Sequence, residues 1–271
     1  MKIILGALIA CLVSAASAAE IKPQKNIAVG RVTLADGQPI TGDVDDYQIS
    51  IYGVSEAGEK VRYAPAVKNG AYKQKLVAGQ YVFNPAKIKV RFGETVFTLP
   101  LEPVGKLWNK DQDAEDGIVQ DFVWKPTGQA NTYGEKANPN NHTHWYGMNL
   151  GMAFQTWRSD INKAPVLLPV GTKLIFTLTP LSRSIDGREL QPITIEREWR
   201  PGATTRNDSL NDFPPANYEI TGVAKLPDGS TRPILFQGRG DYPKFVTKGK
   251  VPLESDGSGR YWLQLMGWVT D

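Results

Sequence analysis

The sequence predicts an all-β protein built from two antiparallel β-sandwich domains in tandem. Short segments in which apolar and polar residues alternate recur along the chain, a pattern typical of strands with one buried face. The 26 Gly and 19 Pro residues are scattered rather than periodic, which leaves little room for long helices. An apolar fraction of 41% with 10% aromatic residues is sufficient for packed cores.

Residues 1–19 have the organisation of a secretion signal peptide. Lys2 precedes an apolar run over 3–13, and the small residues Ala-Ser-Ala at 16–18 form a cleavage site. The apolar run is too short to span a bilayer. We therefore expect a secreted or periplasmic protein, whose mature chain has no cysteine because the only one, Cys11, leaves with the signal.

A bacterial lipoprotein signal is the alternative for this leader. Residues 8–11, Leu-Ile-Ala-Cys, resemble a lipobox, in which Cys11 would carry the lipid. However, the apolar stretch before Cys11 is short, and Leu12 and Val13 continue it. Ordinary cleavage is therefore favoured over a lipoprotein.

The first sandwich is expected over residues 26–103. Its segments alternate with period two and are separated by turn signals such as Asp36-Gly37, Asn69-Gly70 and Gly93-Glu94. The predicted strands cover 30–34, 48–52, 72–76, 78–81, 87–92 and 95–99. Turns spaced in this way favour a small antiparallel sandwich.

Three motifs in this region resemble the carboxypeptidase regulatory-like domain. They are G-x-V-x-L-x-D-G-x-P-I over residues 30–40, N-G-x-Y over 69–72 and L-x-A-G-x-Y over 76–81. The resemblance covers about residues 27–101 and implies a transthyretin-like β-sandwich. It implies no function, because that module is an accessory in many unrelated proteins.

The active branches of that wider fold need residues that this chain lacks. A zinc carboxypeptidase needs a His/Glu metal set, whereas the chain has two histidines in all. The hydroxyisourate hydrolase branch needs several histidines and a C-terminal Tyr-Arg-Gly-Ser, and this chain ends in Gly-Trp-Val-Thr-Asp. The pilin-like branch needs a lysine in the first strand and an asparagine in the last, and neither is present over 27–34 or 95–101. With these active branches excluded, a structural or binding module remains.

Residues 104–117 are expected to form an acidic linker. Asp111, Asp113 and Asp116 precede Gly117, and spaced carboxylates that end in glycine can bind calcium through oxygen. The spacing is one residue longer than in a D-x-D-x-D-G loop, and no bidentate glutamate follows at the expected distance. A solvated linker is therefore favoured over a structural calcium site, and no other cofactor is expected.

The second sandwich is expected over residues 118–271. Its predicted strands cover 118–125, 145–154, 172–178, 193–196, 218–221, 233–237 and 260–269. The last of them has large side chains on both faces, which predicts a central strand. Residues 222–234 weakly repeat the pattern of 30–40, and both a duplication and convergent hairpins could explain this repeat.

A ligand site is predicted in the second sandwich, around residues 138–145 and Trp157, where the long polar loop over 126–141 ends. The loop leads to His142 and His144, which would share one face of an extended strand, and to Trp145. Two imidazoles on one face can begin a metal site, but no third ligand follows by spacing. Trp145 and Trp157 are the candidates for stacking on a sugar, with core packing as the alternative interpretation.

Cationic side chains alternate on two strands of the first sandwich. They are Lys73 and Lys75 on one, and Lys87, Lys89 and Arg91 on the other. If these strands were neighbours, they would form a basic stripe suited to anionic polysaccharide or lipid. A solvated sheet face protected from edge pairing is the favoured interpretation.

These observations favour a non-catalytic protein. No G-x-S-x-G, H-E-x-x-H, P-loop or dinucleotide motif is present. The net charge of +3 includes Lys2 and makes no case for nucleic acid, and no stretch after the signal could cross a membrane. We expect an exported binding or structural module of the bacterial envelope, with polysaccharide or another envelope component as partner. The alternative is a secreted carboxylate-based hydrolase, whose two acids can lie far apart in sequence.

Overall fold

The computed structural model describes residues 21–105, 110–130, 144–154, 168–199, 208–237, 245–254 and 262–269. These residues contain no α-helix, which confirms the predicted all-β class. None of the described segments forms an apolar helix of membrane-spanning length. The predicted signal peptide over 1–19, with Cys11, lies outside the described residues.

The strands fall into an N-terminal half, β1–β13, and a C-terminal half, β14–β21. The N-terminal strands are β1 (Ile27–Leu34), β2 (Asp43–Gln48), β3 (Ile51–Ser55), β4 (Lys60–Tyr63), β5 (Val67–Lys68), β6 (Ala71–Lys75), β7 (Gly79–Phe83), β8 (Lys87–Phe92), β9 (Thr95–Pro100), β10 (Glu102–Pro103), β11 (Gln112–Asp113), β12 (Ile118–Val119) and β13 (Phe122–Trp124). The C-terminal strands are β14 (Met148–Phe154), β15 (Lys173–Pro180), β16 (Ile193–Glu198), β17 (Asp208–Phe213), β18 (Tyr218–Lys225), β19 (Thr231–Gln237), β20 (Gly249–Val251) and β21 (Trp262–Val269).

The N-terminal half packs two sheets around an aromatic core. One sheet has the order β10-β13-β1-β6-β5, with β12 also beside β1, and the other has the order β11-β7-β3-β4. Tyr72 and Phe122 of the first sheet meet Phe83 of the second, with ring centroids 5.8–6.4 Å apart. A third sheet, β2-β8-β9, contributes the buried Ile88 and Val90. Burial of these side chains on facing strands stabilises the layers.

The C-terminal half is a large sheet with the order β16-β15-β18-β19-β21-β14-β17, and β20 pairs with β18. On β15, the alternating Leu174, Phe176 and Leu178 are buried as predicted. The last strand, β21, lies between β19 and β14, which confirms its predicted central place.

Three strand pairings among the described residues are parallel, and the others are antiparallel. β1 pairs in parallel with β12 and β13, and β14 pairs in parallel with β21. Parallel partners cannot be joined by a tight hairpin. Each pairing therefore unites segments that are far apart in sequence.

β1 pairs in parallel with strands that lie beyond the expected end of the first sandwich. Residues 104–117 were expected to be a linker, but β11 lies within them and pairs with β7. Residues 118–124 were expected to open the second sandwich, but β12 and β13 complete the sheet of β1. Phe122 and Trp124 are almost fully buried there. Their burial is the physical reason why this segment belongs to the N-terminal half.

The predicted turns form, but one of them joins different strands than expected. Asn69 and Gly70, with φ of 50° and 71°, make the two-residue hairpin between β5 and β6. Asp36-Gly37 also turns the chain, with Gly37 donating to the carbonyl of Leu34 at 2.9 Å. However, β2 pairs with β8 rather than with β1, so this turn closes no hairpin between β1 and β2.

The two halves meet where the segment before β2 touches a turn of the C-terminal half. Thr41 Oγ1 donates a hydrogen bond to the carbonyl of Asp186 at 2.9 Å. A Cβ on Gly42 would lie 2.4 Å from the carbonyl oxygen of Ile185, so glycine is required by close approach. Ile185 is itself buried, and its N–H donates to Pro215 O at 2.8 Å.

Candidate ligand-binding groove

A groove of about 810 Å³ opens beside β1, close to the contact between the halves. This volume lies within the range of roughly 300–1,000 Å³ that is usual for ligand sites. Its walls are mostly apolar. The apolar wall residues include Pro39, Ile40, Val44, Val104 and Val123. We call this feature the Arg31 groove.

An ion pair between Arg31 and Asp121 supplies the charged groups of the Arg31 groove. The Arg31 backbone N–H donates to Asp121 Oδ1 at 2.7 Å, and Arg31 Nη2 lies 3.3 Å from Asp121 Oδ2. The side chains are 31% and 27% exposed, respectively, so both are mostly buried yet accessible. The groove therefore presents a hydrogen-bond donor next to an acceptor.

The segment that carries Asp121 is held firmly. The buried Gln120 donates through Nε2 to the carbonyls of Val104 and Asp121, at 3.0 and 2.7 Å. Its own carbonyl accepts from the Tyr72 hydroxyl at 2.6 Å. Burial, with a contribution from the nearby Asp121 charge, raises the pKa of Tyr72, so this hydroxyl stays protonated and donates.

Tyr47 lies between the Arg31 groove and a second, more polar cleft. It lines both, is half-buried on β2, and has a pKa raised by that burial. The second cleft has a volume of about 570 Å³, and we call it the Tyr52 cleft. Its polar and aromatic lining includes Gln48, Tyr52, Arg62, Asn84 and Lys87. The Arg62 guanidinium lies 4.9 Å from the centre of the Tyr52 ring, at cation–π distance.

The basic stripe considered from the sequence does not form, because its strands belong to different sheets. β6, with Lys73 and Lys75, pairs with β1 and β5, whereas β8 lies between β2 and β9. The β8 cations face acids of β2 instead. Arg91 pairs with Asp45 at 2.7 Å and Lys89 with Asp46 at 3.8 Å. The two strands are not neighbours, so the condition for a basic stripe is not met.

The predicted site around Trp145 is only partly described by the structure. His144 and Trp145 are half-buried and immediately precede β14. His144 O accepts from Ala130 N at 2.9 Å, and Trp145 forms a β-bridge with Gln129. His142 and Trp157 lie outside the described residues, so the grouping of these side chains stays a prediction.

Asp212 anchors the chain on both sides of that segment. Its Oδ1 accepts from Gly128 N at 2.6 Å and from Gly147 N at 3.2 Å. Burial raises the pKa of Asp212, and the two hydrogen bonds oppose that rise. The neighbouring Tyr146 hydroxyl donates to Glu102 at 2.6 Å. Trp145 therefore sits on a tethered segment.

The acidic segment fits calcium poorly. Asp113 Oδ2 accepts from Gln80 Nε2 at 2.8 Å, and Asp113 Oδ1 accepts from the Glu115 N–H at 2.9 Å. Across the described residues, no three His, Cys, Asp or Glu side chains converge as metal ligands would. A calcium site that includes Asp111 and Asp116 stays a prediction.

The residues of the Arg31 groove were missed in the sequence analysis. Arg31 appears as an ordinary polar position of an alternating strand, and Asp121 appears in a segment assigned to the other sandwich. Neither residue carries a spacing signal toward the other, because their contact arises from the parallel pairing of β1 with β12 and β13. The alternation of polar and apolar residues along β1 was the sequence feature that marked Arg31 as a surface position.

No family model and no curated protein matches this chain. Among solved structures, it is similar to a C-terminal fragment of the pilus adhesin SpaC from Lactobacillus rhamnosus GG, with 11% identity, coverage of 91% of this chain and 98% of that one, and a TM-score of 0.27. A leucine-rich repeat protein from Bacteroides thetaiotaomicron aligns at 10% identity over 91% of this chain and 26% of that one, with a TM-score of 0.24. A candidate cell adhesion protein from Bacteroides eggerthii aligns at 9% identity over 92% and 99%, with a TM-score of 0.22.

These superpositions are too loose to support a functional argument. None of the three proteins is described as a carboxypeptidase regulatory-like or transthyretin-like domain, and that resemblance stays a prediction. The function is therefore argued from the chain's own residues.

Proposed function

We propose that the protein is a non-catalytic binding module of the bacterial envelope and that its ligand is a carbohydrate. The observation that carries this proposal is the Arg31 groove, an open, apolar-walled site with one donor–acceptor pair. Such a combination is typical of sites that hold a ligand through shape and a few placed polar groups. Export is supported by the signal peptide predicted over residues 1–19.

The carboxylates around the grooves support binding rather than hydrolysis. A carboxylate-based glycosidase needs two acids that face each other across the scissile bond, roughly 5–10 Å apart. Among the described lining residues, the Arg31 groove has Asp121, which already pairs with Arg31. The Tyr52 cleft has Asp46, which lies near Lys89. Each acid is thus placed beside a cation instead of opposite a second acid.

The aromatic residues support a carbohydrate ligand. Trp124 and Trp199 are buried and fill the core. By contrast, Trp145, Tyr47 and Tyr52 keep part of their surface exposed. Partly exposed rings beside polar side chains can pack on the C–H faces of sugar rings while their neighbours bind the hydroxyl groups.

A binding screen that is paired with a hydrolysis assay tests this function. The chain without its predicted signal, residues 20–271, is applied to a glycan array and to a lipid-binding screen, and the bound glycans are then assayed for released reducing ends. We expect glycan binding without release. Release that disappears in Asp121→Asn or Asp46→Asn would establish the hydrolase instead, and binding to lipid alone would overturn the carbohydrate assignment.

A further inference from the structure

We propose that Arg31 and Asp121 bind two adjacent hydroxyl groups of a neutral sugar, whose apolar face packs on Tyr47 and the aliphatic walls of the Arg31 groove. This inference rests on the proposed function and gives it a site and a ligand class. It also places the site in the N-terminal half, rather than around Trp145, where the sequence analysis predicted it.

The pair matches adjacent hydroxyl groups because it combines a donor with an acceptor. A guanidinium offers N–H donors only, and a carboxylate offers lone pairs only, whereas a hydroxyl group can both donate and accept. One sugar hydroxyl can therefore accept from Arg31 while its neighbour donates to Asp121. Both hydrogen bonds involve a charged partner, which makes them stronger than neutral ones.

The ligand is neutral because the two charges of the pair already compensate each other. The guanidinium and the carboxylate are 3.3 Å apart and mostly buried, with about three-tenths of each side chain exposed. An acidic sugar would compete with Asp121 for the same guanidinium, and an amino sugar would meet the charge of Arg31. In a partly desolvated groove, the repulsion between an acidic sugar and Asp121, or between an amino sugar and Arg31, is screened less than in water.

The pair is preorganised by the fold. Asp121 Oδ1 accepts from the Arg31 backbone N–H on the same strand that carries the guanidinium, at 2.7 Å. The Asp121 carbonyl also accepts from Val104 N at 2.9 Å and from Gln120 Nε2 at 2.7 Å. A ligand would therefore meet a recognition element that is already ordered, which lowers the cost of binding.

Tyr47 extends the site from a single sugar to a chain. The ring lines the Arg31 groove and the Tyr52 cleft alike. An oligosaccharide anchored at Arg31 can thus continue past Tyr47 toward Gln48 and Asn84, whose amides can bind further hydroxyl groups. Affinity should rise with chain length.

The test measures glycan binding by residues 20–271 and by matched variants. Arg31→Met should weaken binding of neutral glycans roughly tenfold or more, as expected for the loss of a hydrogen bond from a charged group. Arg183→Met is the control, because Arg183 forms an exposed ion pair with Glu189 in the C-terminal half. Tyr47→Ser is the second test, since it removes the packing ring without touching the ion pair. Thermal unfolding of each variant shows that the comparison is between folded proteins.

The outcomes separate this inference from the proposed function. Loss of neutral-glycan binding in both groove variants, with the control unchanged, supports it. Glycan binding that survives in Arg31→Met and Tyr47→Ser but disappears in Trp145→Ala would leave the proposed function standing and overturn this site. Stronger binding of acidic than of neutral glycans would overturn the ligand class. Binding of no glycan at all would overturn both proposals.

Discussion

At the residue scale, buried polar groups of the N-terminal half hold the groove in place. Tyr72 is 4% exposed, and its hydroxyl donates to the carbonyl of Gln120. That contact links the core to the residue that precedes Asp121. A single hydroxyl therefore supports both the stability of the sheet and the position of the groove carboxylate.

Tyr72→Phe should lower the free energy of unfolding by about 1–3 kcal/mol, because it leaves the Gln120 carbonyl buried without its donor. The measurement is urea denaturation followed by tryptophan fluorescence. Tyr52→Phe is the matched control, since the Tyr52 ring is half-exposed and lies against Arg62. Equal losses in the two variants would contradict the role assigned to the Tyr72 hydroxyl.

Asp212 makes stability depend on pH in a defined direction. Burial raises its pKa in the folded state, so its protonated form is favoured by folding. The stability that this provides is present below the unfolded-state pKa and is lost as the pH rises through the folded-state pKa. Asparagine is neutral at every pH, tolerates the φ of 66° at this position, and keeps an oxygen acceptor.

The stability of Asp212→Asn relative to the wild type should therefore be greater at pH 7 than at pH 3. Thermal unfolding of both proteins at the two pH values measures this difference. Asp228→Asn is the control, because Asp228 is exposed and its pKa is lowered by hydrogen bonds from Ser230. A gain for Asp212→Asn that is larger at pH 3 would show the assigned sign to be wrong.

At the element scale, one turn recurs in both halves, including the two segments that resemble each other in sequence. In each copy a glycine with φ between 75° and 88° donates to the carbonyl three residues earlier. The copies are centred on Gly37, Gly58, Gly117, Gly187 and Gly229. The similarity of residues 222–234 to 30–40 includes two of these copies, and the other three occur outside it. Turn geometry thus accounts for the shared glycine and aspartate.

Alanine substitutions at equivalent turn glycines should lower the free energy of unfolding by different amounts. At Gly37 and Gly229 a Cβ would meet nothing within 4 Å, so only the left-handed φ matters, at about 1–2 kcal/mol. At Gly187 a Cβ would also lie 2.9 Å from Thr41 Oγ1 and 3.0 Å from Thr41 O, which adds the cost of a clash between the halves. Urea denaturation of the three variants measures the ranking. Equal losses of unfolding free energy at all three positions would mean that Thr41 moves away from the added Cβ without a loss of stability.

At the scale of the whole molecule, the N-terminal half is completed by strands from beyond its expected end. The buried side chains of Ile118, Phe122 and Trp124 pack into the sheet of β1. Each contributes about 1.5–3 kcal/mol through burial. We therefore propose that the independent folding unit extends to about residue 126 rather than to residue 103.

A fragment of residues 20–126 should unfold cooperatively, whereas a fragment of residues 20–103 should not. The shorter fragment lacks β12 and β13, leaves one edge of β1 unpaired and loses the Arg31–Asp121 ion pair. Circular dichroism during heating, together with amide hydrogen exchange, distinguishes the two. A cooperative transition of the shorter fragment at the same temperature would place the division where the sequence suggested it.

The sequence by itself determined the features that depend on neighbouring residues. The alternation of Leu174, Phe176 and Leu178 predicted the buried face of β15, and Asn69-Gly70 predicted a hairpin. Period-two burial and positive φ are local properties, and they can be read within a few residues. The all-β class follows from the sum of such local signals.

Only the tertiary structure decided which strands pair and therefore where the groove lies. Arg31 and Asp121 meet because β12 and β13 return to β1 in parallel, and Lys73 and Lys89 are separated because their strands join different sheets. Strand pairing depends on which buried faces fit together over the whole molecule. The residues of a short segment do not by themselves identify the strand with which it pairs. The candidate site arises from such pairings, which is why Arg31 and Asp121 were missed from the sequence.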